Sequence, residues 1–400
     1  MEIFNYKIPL LIVLILSIIV NVLFLSYTLT YNDVSTVYQK LSNFLTRMVE
    51  EKSGDKPEND VRLPAIYTKD KEYGKNSFYK NVKTKEDFES WKKLFNYTKY
   101  NIDNFPLTQV TKIQDIQKET YVQSKFEMSA VDGDTIIFYE LLPKVSTSPY
   151  TALFILPGSG ATGARDVIGE PTELSQFYYH DNIGRELVKE GYAVYVIEHR
   201  GYGERSLDIG NSCNRFNESV RVLTCPQEIF RNELESIGID YVHLIFRDAA
   251  QVLKYIHSLD YVDSNRIGAV GLSMGGIMSS VLSGNNPEII KATVVASGTH
   301  AMSKGPYAPR LGVGNFLCCD AVDKLAAAMP PRPLYVSFGN NEMAMFAWEA
   351  KTNYSGELLK TAYEILEAED NLVYTVHSKP GHSYDIPTVL EFLNKFLKEW

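Results

Sequence analysis

Cysteine is scarce, with four in 400 residues, and none stands in the paired CxxC spacing of a zinc site. That excludes a scaffold built on disulfides and gives no reason to expect a metal. Positive charge is also short. Lys and Arg number 40 against 49 Asp and Glu, a net charge of −9, and no run of basic residues occurs. Nucleic acid is bound by counterion release through clustered Lys and Arg, so no nucleic-acid partner is expected. Internal repeats are absent. A composition of 45% hydrophobic and 22% charged side chains further excludes disorder, collagen-like repeats and coiled-coil arrays.

Charge is missing altogether from residues 8–32, IPLLIVLILSIIVNVLFLSYTLTYN. A helix needs about 20 apolar residues to cross the hydrocarbon core, whereas the apolar part of a signal peptide runs to about 7–15. No small-x-small cleavage site and no lipobox cysteine follow. The expectation is an N-terminal transmembrane helix over 1–32, an uncleaved signal anchor; a cleaved signal and a buried core helix are the alternatives. With the N-terminus inside, the body of the chain lies on the extracytoplasmic side. That compartment permits a disulfide between Cys213 and Cys225, which are otherwise two free thiols. Residues 33–105 are polar and include the charge run Glu50, Glu51, Lys52, Asp55 and Lys56. They read as a stalk with short helices.

From about residue 119 the pattern changes to short apolar runs separated by helical ones. TYVQSKFEM, DTIIFYELL, TALFIL, YAVYVI, RIGAVGL, ATVVAS, PLYVSFG and LVYTVHS read as strands, with helices expected around 181–190 and 231–258. Strands joined through helices imply crossover connections and a mostly parallel sheet covered on both faces. The first two strands are suited to an antiparallel hairpin around Asp132-Gly133. Residues 106–400 thus form one α/β domain, with an insertion around 206–235.

The sharpest local signal is Gly271-Leu272-Ser273-Met274-Gly275-Gly276, placed after RIGAVGL and before an apolar helical run. A nucleophile on a tight strand-to-helix turn needs small residues two before and two after it, because the strained backbone leaves no room for side chains. Ser273 is the candidate nucleophile. The Met274 amide, at the helix start, is a candidate oxyanion donor. A second donor is expected from Pro157-Gly158-Ser159-Gly160 after TALFIL, with the Ser159 amide first and Gly160 as its neighbour. No Lys-Ser/Thr pair closes this loop, which argues against phosphate binding.

A serine is a weak nucleophile until a base takes its proton, and a carboxylate must hold that base in the right tautomer. Among seven histidines, His382 lies in Pro380-Gly381-His382-Ser383-Tyr384, between the last strand and the C-terminal helix DIPTVLEFLNKFLKEW. His199 and His300 are its rivals. For the acid, PLYVSFG ends in Gly339-Asn340-Asn341-Glu342, which puts Glu342 in a loop at a strand's carboxyl end, where ligands gather in open α/β sheets. Asp320, Asp323 and Asp385 are the alternatives.

With the order Ser273, Glu342, His382 in hand, residues from about 119 to 400 resemble the α/β-hydrolase superfamily. The narrower resemblance is to its dienelactone-hydrolase, acetyl-xylan-esterase and prolyl-oligopeptidase-like branch. Asp132-Gly133, Glu198-His199-Arg200-Gly201-Tyr202-Gly203, Val262-Asp263-Ser264-Asn265-Arg266-Ile267-Gly268 and Pro331-Arg332-Pro333-Leu334 carry it alongside the elbow. Three positions depart from the family pattern: Glu198 and Glu342 stand where Asp is usual, and Pro157-Gly158 replaces His-Gly. The resemblance implies a serine hydrolase acting on small carboxylic esters with no cofactor or metal. A peptidase or thioesterase would use the same residues, with the pocket shaped by 206–235 and 301–320. A membrane-tethered binding protein on the same fold is the reading from another class.

Overall fold

Leu153 and Ile155 point to one face of their strand and Phe154 and Leu156 to the other, and all four are fully buried. A strand that is apolar on both faces needs cover on both sides. In the computed structural model, helices supply that cover. It describes residues 82–93, 98–159, 163–170, 181–206, 241–298, 328–340, 354–379 and 381–398, together with Leu234, Ser236, Ile237, Leu325 and Glu342.

The strands are β1 (Val110–Gln117), β2 (Tyr121–Ser129), β3 (Thr135–Pro143), β4 (Tyr150–Leu156), β5 (Ala193–Ile197), β6 (Val262–Leu272), β7 (Ile290–Ala296), β8 (Leu334–Gly339) and β9 (Leu372–His377). The helices are α1 (Lys85–Lys92), α2 (Ala164–Val167), α3 (Ile183–Lys189), α4 (Tyr241–His257), α5 (Met274–Asn285), α6 (Tyr354–Ile365) and α7 (Ile386–Leu397). Among the described residues one sheet runs in the order β1-β2-β3-β5-β4-β6-β7-β8-β9. Pairing is antiparallel from β1 to β5 and parallel from β5 through β4 to β9. The expected hairpin is present: β2 and β3 pair around a turn in which Gly133 has φ 88°.

Alternate residues of each central strand enter different cores. Phe154, Leu156, Tyr195 and Ile197 pack with α4 and α5 residues such as Ile245, Leu253, Met278 and Leu282. Leu153, Ile155, Val194 and Val196 pack on the other face with Leu187 of α3 and Val389, Phe392 and Leu393 of α7. Each such side chain contributes about 1.5–3 kcal/mol through burial.

Strand β1 and helices α2 and α6 are elements that the sequence reading does not contain. The strand β1 is exposed along most of its length, so it has no alternating signature. Residues 84–105, the end of the stretch read as a stalk with short helices, pack on the domain. Thr84 and Asp87 form a capping box at the start of α1. Phe88 and Trp91, one helical turn apart, are buried with Val336 and Phe338 of β8 and Leu359 of α6. Beyond them Asn285 Oδ1 accepts from the Tyr100 amide at 2.9 Å, and Asn286 Oδ1 accepts from the Ile102 amide at 2.8 Å. These two asparagines at the end of α5 tie residues 98–105 to the helix that follows Ser273. The charge density of the segment hides a few large apolar anchors.

No helix among the described residues is long and apolar enough to cross a membrane. The segment 8–32 lies outside the described residues, as do 33–81, 207–233 with Cys213 and Cys225, and 301–320.

Candidate active site

The sequence Gly-x-Ser-x-Gly is a steric requirement here. Ser273 leaves β6 at φ 61° and ψ −123°, a conformation that a residue with a Cβ rarely adopts, and α5 starts at the next residue. A Cβ on Gly271 would lie 2.0 Å from the Gly275 carbonyl oxygen, and one on Gly275 would lie 1.8 Å from the Leu156 carbonyl oxygen. No side chain fits at either position. The Ser273 amide donates to Ala296 O at 2.8 Å, which fixes the turn to β7. Met274 occupies the first turn of α5, where amides have no helical partner. Tyr202 donates its hydroxyl to Met274 Sδ at 3.9 Å.

Two further loops meet each other at the ends of β8 and β9, on the same side of the sheet as β6. A Cβ on Gly339 would lie 2.0 Å from Gly381 O, so the His382 loop rests directly on the end of β8. Nδ1 of His382 stands 2.7 Å from Glu342 Oε1, and the two side chains are 7% and 0% exposed. An ionised carboxylate only accepts, so Nδ1 carries the hydrogen and donates it. The other carboxylate oxygen, Oε2, accepts from Ser297 Oγ at 2.6 Å and from the Gly339 amide at 3.3 Å. His377, at the end of β9, donates Nε2–H to the Ser383 carbonyl at 3.2 Å and so holds the His382 loop from behind.

Ser159 is exposed just beyond β4. The loop it belongs to is gripped at both ends by consecutive residues after β5. His199 donates Nε2–H to Pro157 O at 3.0 Å, and Glu198 Oε1 accepts from the Ala164 amide at 3.1 Å. Burial pushes the His199 imidazole down to about 4 and the Glu198 carboxyl up to about 8. His199 is therefore a neutral, buried tie to this loop. Gly163 and Gly203 give Glu198 its room: a Cβ at either would lie 1.8 or 2.3 Å from its carboxylate oxygens. The next residue, Arg200, is bidentate to Asp132 at 2.8 and 2.9 Å and to Asp248 at 2.7 and 2.8 Å. It locks the β2–β3 turn and α4 to the end of β5.

The structure thus brings Glu342 and His382 into contact and places Ser273 and Met274 on the turn between β6 and α5. Asp385 stands ahead of α7, where its carbonyl accepts from the Val389 amide at 3.0 Å. Gly160, His300, Asp320 and Asp323 lie outside the described residues. Sequence reading passes over Ser297 and the ties made by His199 and His377. The available signal was position, since Ser297 follows the carboxyl end of a strand.

The Abhydrolase family model matches residues 67–296, more than half of the chain. A curated relative, the inferred hydrolase YtaP of Bacillus subtilis (strain 168), is 28% identical over 141 residues, which are 35% of this chain and 41% of that protein. The match therefore spans less than half the length of the relative. Among solved structures, an inferred acetyl xylan esterase of Bacteroides fragilis superposes with a TM-score of 0.59 at 18% identity, covering 79% of this chain and 89% of its own. A glucuronoyl esterase of Teredinibacter turnerae gives 0.52 at 16% identity, covering 78% and 86%. Both similarities are likenesses of fold.

Proposed function

The chain belongs to the Abhydrolase family and is an α/β-hydrolase, and from that premise we propose that it is a serine hydrolase of carboxylic esters with Ser273, His382 and Glu342 as its triad. The observation that carries this reading is the 2.7 Å bond between His382 Nδ1 and Glu342 Oε1. It commits one imidazole nitrogen to donation, so Nε2 is the one that receives a proton. Ser273 Oγ attacks the ester carbonyl carbon as its proton passes to His382 Nε2. The amides of Met274 and Ser159 hold the developing oxyanion. His382 then gives the proton to the leaving alcohol, and an acyl group remains on Ser273. Water attacks this acyl-enzyme, losing a proton to His382, and the carboxylic acid departs as Ser273 recovers its proton. No cofactor or metal takes part in this scheme. The esterase names of the similar structures support ester as the substrate class.

A fluorophosphonate probe tests the assignment. Wild type is expected to label at a single serine, and Ser273→Ala to remain unlabelled. A folded wild-type chain that does not label would instead be a binding protein. Faster turnover of thioesters or peptides than of p-nitrophenyl acetate would move the activity to a thioesterase or peptidase with the same residues.

Residues 8–32, uncharged throughout, we further propose as a membrane tether with the hydrolase unit on the extracytoplasmic side. The full chain is then expected to stay with the membrane pellet through a carbonate wash at alkaline pH. Its quantitative release into the supernatant would rule the tether out.

A further inference from the structure

We propose that Ser297 is a positioning residue that aims the Glu342 carboxylate at His382; the proposal rests on the triad reading above. Ser297 follows β7, the strand between that of the nucleophile and that of the acid, and is fully buried. Its φ is 46°, in the left-handed region that disfavours any residue with a Cβ. The backbone has no freedom to leave that conformation. Its amide donates to Ser337 O at 2.7 Å, and the next residue, Gly298, is pressed so close to α5 that a Cβ there would lie 2.8 Å from Gly276 Cα. A glycine at 297 would meet these demands without strain, yet a serine is present.

What the serine adds is a hydroxyl. Ser297 Oγ donates to Glu342 Oε2 at 2.6 Å, while Glu342 Oε1 accepts from His382 Nδ1 at 2.7 Å. Both carboxylate oxygens are therefore engaged, Oε2 by the Ser297 hydroxyl and, at 3.3 Å, by the Gly339 amide. Glutamate has one more rotatable bond than aspartate, and freezing it costs conformational entropy. The bond from a neighbouring strand supplies the constraint that an aspartate would draw from its shorter stem. Strained backbone held in place by its surroundings is characteristic of functional sites, and here it points one hydroxyl at one oxygen.

The test is a double-mutant cycle on hydrolysis of p-nitrophenyl acetate by the full chain. Ser297→Gly is expected to lower kcat roughly ten- to a hundredfold with KM unchanged and a melting midpoint within a few degrees of wild type. In a Glu342→Ala background, where no carboxylate remains to be aimed, the same change is expected to cost less than about threefold. Ser297→Ala, which keeps the Cβ, repeats the measurement should the glycine loosen the turn. An equal loss in both backgrounds, or wild-type kcat in Ser297→Gly, overturns the proposal. Retained hydrolysis in Ser273→Ala overturns the triad reading itself, so the two failures are told apart.

Discussion

Replacing Ser273 by alanine is expected to lower kcat for p-nitrophenyl acetate by roughly five to six orders of magnitude, leaving only the turnover that the oxyanion donors support on their own. The substitution removes a single oxygen. Alanine has the same Cβ as serine and bears the same strain at φ 61°, so the turn is neither relieved nor crowded. The bond from the Ser273 amide to Ala296 O is made by backbone and is kept. A melting midpoint within a few degrees of wild type should accompany the loss. His382→Ala should fall nearly as far, because nucleophile and base act as a unit and their losses do not add. Steady-state kinetics with a thermal melt on the same preparations decides the matter. Activity within tenfold of wild type would remove Ser273 from the chemistry.

Glu342→Gln is expected to cost roughly 10⁴ in kcat with the fold intact. The amide is nearly the size of the carboxylate but can present N–H where oxygen stood. An N–H facing Nδ1 makes that nitrogen an acceptor and moves the imidazole hydrogen to Nε2, where a base must be empty. Glu342→Asp fails for a different reason. One methylene shorter, it cannot reach both His382 and Ser297, which now lie 2.7 and 2.6 Å from its two oxygens. Kinetic constants for the two variants beside Asp385→Asn, which should keep wild-type kcat, check the assignment. A greater loss in Asp385→Asn than in Glu342→Gln would hand the acid role to Asp385.

What the sequence reveals and what it hides follow from where each constraint originates. The elbow is legible because its steric demand is local: glycines at 271 and 275 are written by atoms a few residues away or by one neighbouring strand. The central strands are legible because burial on both faces leaves continuous apolar runs. Strand β1 is hidden because its side chains meet solvent on most of its length. Helix α1 is hidden because Phe88 and Trp91 alone enter the core while its remaining residues carry charge or polarity. Ser297, His199 and His377 are hidden for another reason. Each acts through one hydrogen bond, which no periodicity in a single sequence reports: Ser297 and His199 reach loops that the strand order brings near, and His377 reaches Ser383 six residues on.

The approach of Gly275 to the Leu156 carbonyl bears on how this protein can change over generations. Helix α5 touches the end of β4 backbone to backbone, with no side chain between them as a spacer. Side chains can be exchanged one at a time and a gap between them retuned by a methylene, but a distance set by two main chains offers mutation no such steps. The separation between the nucleophile's turn and the loop after β4 is therefore an inherited dimension, fixed like the gauge of a track. Adaptation to new substrates is left to the walls around it.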